Sequence, residues 1–243
     1  MKWFLSPRWI ISHLVVIVVA VVFVNLGFWQ LRRLDERRLA NAVGESRFEA
    51  DPTPIETLIA AAGDDLGSLE YRHVTATGVF HPEDEVLIRS EVHLGVAGFH
   101  VITPLVDESG TAVLVNRGWV PLDMDRTPVT DAPPPVGTVT IEGWAHPTQT
   151  RPALGPKDPA EGRLVAMNRV DIDRISQQVS YPLAPVYIVE LGADQGRLPV
   201  PVDVPVFDDE GPHLGYAIQW FAFTIIGLVG YAALIRRSAK RSG

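Results

Sequence analysis

The chain has 243 residues and no cysteine, which excludes disulfide staples, thiolate metal sites and any copper relay built on paired thiols. Its formal charge of −8 is unevenly placed: every acidic residue falls between positions 32 and 213, where the balance is −14, and the two ends together carry +6. An acidic middle is a poor partner for nucleic acid, whereas basic ends suit an anionic membrane leaflet.

Residues 1–8, with Lys2 and Arg8, precede an uncharged run of 23 residues at 9–31. At about 1.5 Å per residue such a helix is long enough to cross a bilayer core. Its length and its bulky end, Asn25-Leu-Gly-Phe-Trp-Gln, argue for an anchor over a cleaved signal peptide. Residues 31–48 place leucines at 31, 34 and 39 and ionic neighbours at helical spacing, such as Arg33 with Glu36 and Arg37. They read as the same helix continuing beyond the lipid until Pro52 and Pro54 end it. A short helix is expected over 54–62, with Thr53 as its N-cap, then a turn at Gly63-Asp-Asp-Leu-Gly.

From residue 71 the period becomes two. Strands are expected at 72–80, 85–90, 98–106, 111–120, 138–145 and 186–191, with a hairpin at Glu108-Ser-Gly. A short amphipathic helix is expected over 170–179, with Asp171 and Asp173 in its first turn. Residues 192–210 form a Pro-rich return. A second uncharged run of 22 residues, 214–235, follows the break at Gly211-Pro212 and meets Arg236, Arg237, Lys240 and Arg241. The expected architecture is therefore two transmembrane helices flanking one antiparallel β-rich domain, barrel or sandwich, with short helices. Residues 32–213 form the extracytoplasmic domain, helical at 32–62 and β-rich at 71–210, and the basic tail at 236–243 stays in the cytoplasm with the N-terminus.

None of the common hydrolase, zincin, P-loop or dinucleotide motifs is present in the sequence. The histidines at 13, 73, 81, 93, 100, 146 and 213 lack metal-site spacing, and Asp123-Met-Asp125 lacks the rest of a calcium loop. An anchored hydrolase built from scattered Ser, His and Asp would need a convergent cleft. Asn116-Arg117-Gly118-Trp119 could bind an anion, or could be a β-bulge with Trp119 in the core and Arg117 paired to an acid.

With both termini on one side, Gln30, Arg32 and Arg33 reach the same membrane level as His213, Tyr216 and Gln219. His213, Tyr216 and Trp220 share a helix face. Polar groups at that depth should face a partner or a ligand. A neutral imidazole beside guanidinium groups suits haem, with the iron on the imidazole and Arg on the propionates. The plainer reading makes His213 interfacial and the tryptophans belt aromatics.

Four stretches carry a resemblance: Gly27-Phe-Trp-Gln-Leu-Arg-Arg-Leu-Asp-Glu-Arg37, Gly98-Phe-His-Val-Ile-Thr-Pro-Leu105, Val115-Asn-Arg-Gly-Trp-Val-Pro121 and Pro212-His-Leu-Gly-Tyr-Ala-Ile-Gln-Trp-Phe221. In this order, between two apolar runs, they resemble the Surfeit locus protein 1 family. The resemblance implies assistance in the biogenesis of aa3-type cytochrome c oxidase in the cell membrane of a bacterium. It implies haem a as a transient cofactor, with His213 as the iron ligand and no catalytic turnover. Gln30, Arg32, Arg33, Arg117, Tyr216 and Trp220 complete the expected haem contacts. The expected partners are oxidase subunits, extending to the respiratory supercomplex, and membrane lipid. The alternative is an accessory structural subunit bound to the oxidase without haem.

Overall fold

The computed structural model describes residues 6–192 and 196–241. Two compact units emerge: one built from the chain up to Val43 together with the chain from Val206 onward, the other Gly44–Pro205.

The first unit is a helical hairpin. α1 (Pro7–Phe48) runs unbroken for 42 residues and α4 (His213–Arg241) for 29. As expected, α1 continues past its apolar run, helped by the Arg33–Glu36 pair at 2.9 Å one turn apart, and it ends before Pro52. The helices are antiparallel. At one end the Tyr231 hydroxyl donates to Ser12 Oγ at 3.0 Å and lies 2.6 Å from His13 Nδ1. Midway, Trp220 packs on Phe23 at 5.2 Å. Nearer the other end Gly27 lies against Phe221, where a Cβ would fall 2.6 Å from the ring. Facing outward, Ile11, Leu14, Ile225, Ile226 and Val229 are all more than half exposed. Both helices are long and apolar enough to cross a membrane, and surface of this kind is not left to water in a monomeric soluble protein.

The second unit is a mixed β-barrel. Its strands are β1 (Thr53–Pro54), β2 (His73–Phe80), β3 (Val86–His93), β4 (Val96–Val106), β5 (Ala112–Pro121), β6 (Thr138–Pro147), β7 (Ala166–Met167) and β8 (Leu183–Glu190). Neighbours in the sheet follow β1-β2-β6-β8-β5-β4-β3-β7, and β2 also pairs with β4 through Val79–Val106 and Phe80–Leu105. That pairing closes β2, β6, β8, β5 and β4 into a ring, which removes their free edges.

The all-antiparallel expectation is corrected here: β8 inserts between β6 and β5 and runs parallel to β5, while β1 and β7 pair parallel with β2 and β3. The reason lies in β5, which is buried on both faces from Ala112 to Val120, the pattern of a parallel strand covered twice. Val113, Val115, Val186 and Ile188 face a core shared with α2 (Ile55–Ala62). Leu114, Tyr187 and Val189 face a second core with α3 (Ile172–Ser176).

Local chemistry accounts for the joins. The turn after β4 is held by Asp107 Oδ1, which accepts from Ser109 N at 2.8 Å and Thr111 N at 3.0 Å. α3 is capped by Asp171, whose side chain accepts from Arg174 N at 3.0 Å. At α2 the expected cap is not used: Pro54 holds the N-cap position, and the Thr53 hydroxyl donates to Asp51 O at 3.3 Å. Thr53 and Pro54 are instead drawn into the edge pairing with β2.

His100 and His146 lie within this unit, where burial pulls each pKa from 6.5 to about 4. Both are neutral in the fold at pH 7, and the unfolded chain takes up their protons first as the pH drops. The stability they supply is therefore present above pH 6.5 and is lost as pH falls toward 4, at up to about 1.4 kcal/mol per pH unit for each ring. Denaturant titrations at pH 7 and pH 5 should show a loss in the wild type larger by about 3–4 kcal/mol than in a His100→Gln, His146→Gln double variant. Equal losses would show that the rings do not set this dependence.

Candidate functional site

The candidate site is at the His213 end of the hairpin. Here α1 contributes Gln30 and Leu34, 9% and 3% exposed, and α4 contributes Ala217, 1% exposed. Small and apolar groups let the helices approach closely, and Gln30 is carried into the seam. His213 Nδ1 lies 2.8 Å from Gln30 Oε1. An amide oxygen can only accept, so the nitrogen facing it bears the proton. The lone pair is then on Nε2, which has no hydrogen bond among the described residues. A ring held this way is a ready metal ligand, since the tautomer and plane are fixed from behind.

The segment entering α4 is clamped to α1. Arg38 makes a two-pronged contact with Glu210, Nε to Oε1 at 2.7 Å and Nη2 to Oε2 at 2.9 Å. Asn41 Nδ2 and Arg37 Nε both donate to Asp209 O, at 3.0 and 3.2 Å. Asp209 Oδ1 accepts from Gly211 N at 2.8 Å, and Gly211 turns the chain at φ +68°. The hydrogen bond from Arg38 holds the Glu210 carboxyl below its ordinary range, and Glu210 in turn raises Arg38. These contacts bring His213 onto Gln30.

The expected site residues separate into three groups. Gln30 and His213 meet. Tyr216 and Trp220 follow His213 along α4, but Trp220 spends its face on Phe23 and Phe223, whereas Tyr216 is 47% exposed. Arg33 is taken by Glu36 and sits 5.8 Å over the Trp29 ring. Arg32 is exposed and makes no ion pair among the described residues.

Arg117 has other partners. It belongs to the barrel unit, buried at a bulge where Val101 alone stands opposite Arg117 and Gly118. Its Nη2 donates to Glu85 Oε1 at 2.7 Å and to Ala132 O at 2.9 Å, and its Nε to Thr103 Oγ1 at 2.8 Å. Burial lowers its pKa and Glu85 opposes that. With its side chain 4% exposed and its charge met by Glu85, this guanidinium is built into the barrel. The bulge-and-ion-pair alternative describes it, with Trp119 in the core at 8% exposed.

Sequence reasoning missed Arg37, Arg38 and Asn41. The signal was available: basic residues after the first apolar run match Asp209 and Glu210 before the second, as an antiparallel hairpin requires. In the barrel unit, His81, Glu83 and Asp84 gather with ligand atoms within 4.8 Å of one another. Asp84 there is already held by Arg163 and Tyr181.

The profile described as SURF1 family matches residues 17–225, which covers the hairpin site and the whole barrel. The chain belongs to the SURF1 family. It is 30% identical to an uncharacterised SURF1-like protein of Mycobacterium tuberculosis, over all of this chain and 91% of that one. A SURF1-like protein of Monosiga brevicollis is 29% identical over 93% of this chain and 88% of its own. One from Rickettsia felis is 27% identical over 90% and 95%. SURF1 proteins are generally linked to cytochrome c oxidase assembly.

Proposed function

We propose that this protein is a membrane-anchored assembly factor for an aa3-type haem–copper cytochrome c oxidase, holding haem a through His213 at the outer membrane face for delivery to the oxidase. In this reading α1 and α4 cross the cell membrane, both termini are cytoplasmic, and the acidic barrel is extracytoplasmic. The exposed apolar faces of both helices support the crossing, and the basic ends support the orientation.

The observation that carries the haem assignment is His213 Nδ1 on Gln30 Oε1 at 2.8 Å. When bound, haem would supply an iron that takes an imidazole nitrogen and propionates that need cationic or polar partners. The residues fit the first requirement: Gln30 keeps the proton on Nδ1, so Nε2 is the nitrogen that would hold the iron. For the propionates, Arg32 is exposed and makes no ion pair among the described residues. Arg33, paired with Glu36, serves after exchanging that exposed partner, and exposed pairs exchange readily. Tyr216 offers a hydroxyl on the same face. The chain thus binds and orients; no bond of a substrate is made or broken.

The test is the spectrum of the full chain purified in detergent from haem-a-producing cells. Wild type should carry the chromophore. His213→Ala should lose at least about tenfold, and Gln30→Leu about tenfold, because an orienting partner of a metal-bound histidine has an effect of that scale. Equal haem content in wild type and His213→Ala would remove His213 from the site.

A second reading, an accessory subunit bound to the oxidase or supercomplex without haem, is favoured by the β3–β4 turn. There Val92, Leu94 and Val96 are 65%, 90% and 55% exposed, an apolar tip that suits a protein partner. That reading expects co-purification with oxidase subunits, no chromophore, and loss of co-purification in Leu94→Asp.

A further inference from the structure

The barrel unit contains a cavity of about 300 Å³ that the haem reading does not use. Tyr71, Trp144, His146 and Tyr187 supply aromatic lining, and Glu91, Asp203, His100 and Asn116 supply polar lining. Its polar groups are fixed by a chain of hydrogen bonds. Gly118 N donates to Asn116 Oδ1 at 3.1 Å, so the Asn116 amide nitrogen faces His100 Nδ1, also at 3.1 Å. Nδ1 therefore accepts, and the His100 proton is on Nε2. Gln149 Nε2 donates to the Tyr187 hydroxyl at 3.0 Å, while Gln149 Oε1 accepts from Val170 N at 2.9 Å. His146 stacks on Tyr187 at 5.5 Å and meets Tyr71 edge-on at 5.2 Å.

Charge then decides the class of ligand. Lys and Arg are absent from the lining residues. Burial keeps both imidazoles neutral at pH 7 and also raises the Glu91 carboxyl above its ordinary range, which leaves Glu91 and Asp203 as the lining's acidic groups. A metal on His100 Nε2 would move the proton to Nδ1, against the Asn116 amide, and would break the Gly118 contact. An anion would face carboxylates. Tyr71 is also held at φ +62°, a backbone strain that is concentrated at ligand-holding positions.

We propose that this cavity binds a small organic cation, an ammonium carried on a ring or short chain, with its charge on Glu91 and Asp203 and its body against the aromatic wall. The apolar body of such a ligand gains by leaving water against the aromatic wall, and a cavity of this size takes a compact ligand.

The full chain in detergent micelles tests this with 4-fluorobenzylamine, observed by fluorine NMR against protein-free micelles and against 4-fluorobenzoate. The amine signal should broaden with protein, the benzoate signal should not, and a Glu91→Gln, Asp203→Asn double variant should bind the amine about tenfold more weakly. Amine linewidths equal to those in empty micelles, or equal binding of benzoate, would overturn the proposal on wild-type protein alone. Undiminished binding in a double variant that unfolds at the wild-type temperature would overturn it as well.

Discussion

Replacing Arg117 by methionine should destabilise the barrel by about 3–5 kcal/mol, the cost of leaving a buried charge without its partner. The side chains of Arg117 and Glu85 are 4% and 0% exposed. Glu85 Oε2 also accepts from Val129 N at 2.9 Å, and Arg117 reaches Ala132 O, so the pair fastens the loop before β6 onto the sheet. Glu85 would keep Thr103 and Val129 but lose its counter-charge. A Glu85→Leu, Arg117→Met double variant removes both charges and should recover part of the loss. Denaturant unfolding of the three proteins measures this. A loss below about 1 kcal/mol in Arg117→Met would mean that water replaces the guanidinium freely, as at an exposed pair.

Gly118→Ala should cost about 3 kcal/mol or more, by two separate routes. Gly118 has φ +120°, which disfavours any side chain, and a Cβ there would lie 2.1 Å from Val200 O. That carbonyl is the acceptor of Trp119 N at 2.7 Å, and Val200 N donates back to Trp119 O at 2.8 Å. An added methyl pushes the strand away and breaks this two-bond bridge. Gly110→Ala is the matched comparison: its φ of +84° is also left-handed, but nothing lies within 4 Å of the added carbon. It should cost about 1–2 kcal/mol, from backbone strain alone. Similar losses at the two positions, read from unfolding midpoints, would rule out the steric contribution at Val200.

Much of this architecture was legible in local pattern. Two uncharged runs gave two helices, and period-two stretches gave β2, β3, β4 and β6 within a few residues. Glu108-Ser-Gly announced the turn after β4, whereas Asp171, read as an acid in the first turn of α3, is its cap. What stayed hidden was pairing between distant segments. Nothing near Leu183–Glu190 says that it inserts beside β5 in parallel; that follows from burial on both faces, which continuous Val, Ile and Leu permit but do not specify. Closure by Val79–Val106 and Phe80–Leu105 depends on accumulated twist. In the site, Gln30 and His213 could be paired because two antiparallel helices must align their ends. Arg117 was left open because a lone arginine at a strand end reads the same whether its acid comes from Glu85, 32 residues away, or from a ligand. The Arg38–Glu210 clamp spans 172 residues and needed the hairpin register to be seen.

The hairpin site is tested most directly by removing the imidazole from the chain and returning it in solution. His213→Gly protein, purified from haem-a-producing cells, should lack the bound chromophore, and imidazole added together with haem a should restore both haem content and the wild-type spectrum. The Gln30→Leu, His213→Gly double variant should recover less, since the returned ring then has no oxygen to hold its Nδ1 proton. Wild-type haem content in His213→Gly without imidazole would contradict the account, because the iron would then be held by something other than His213.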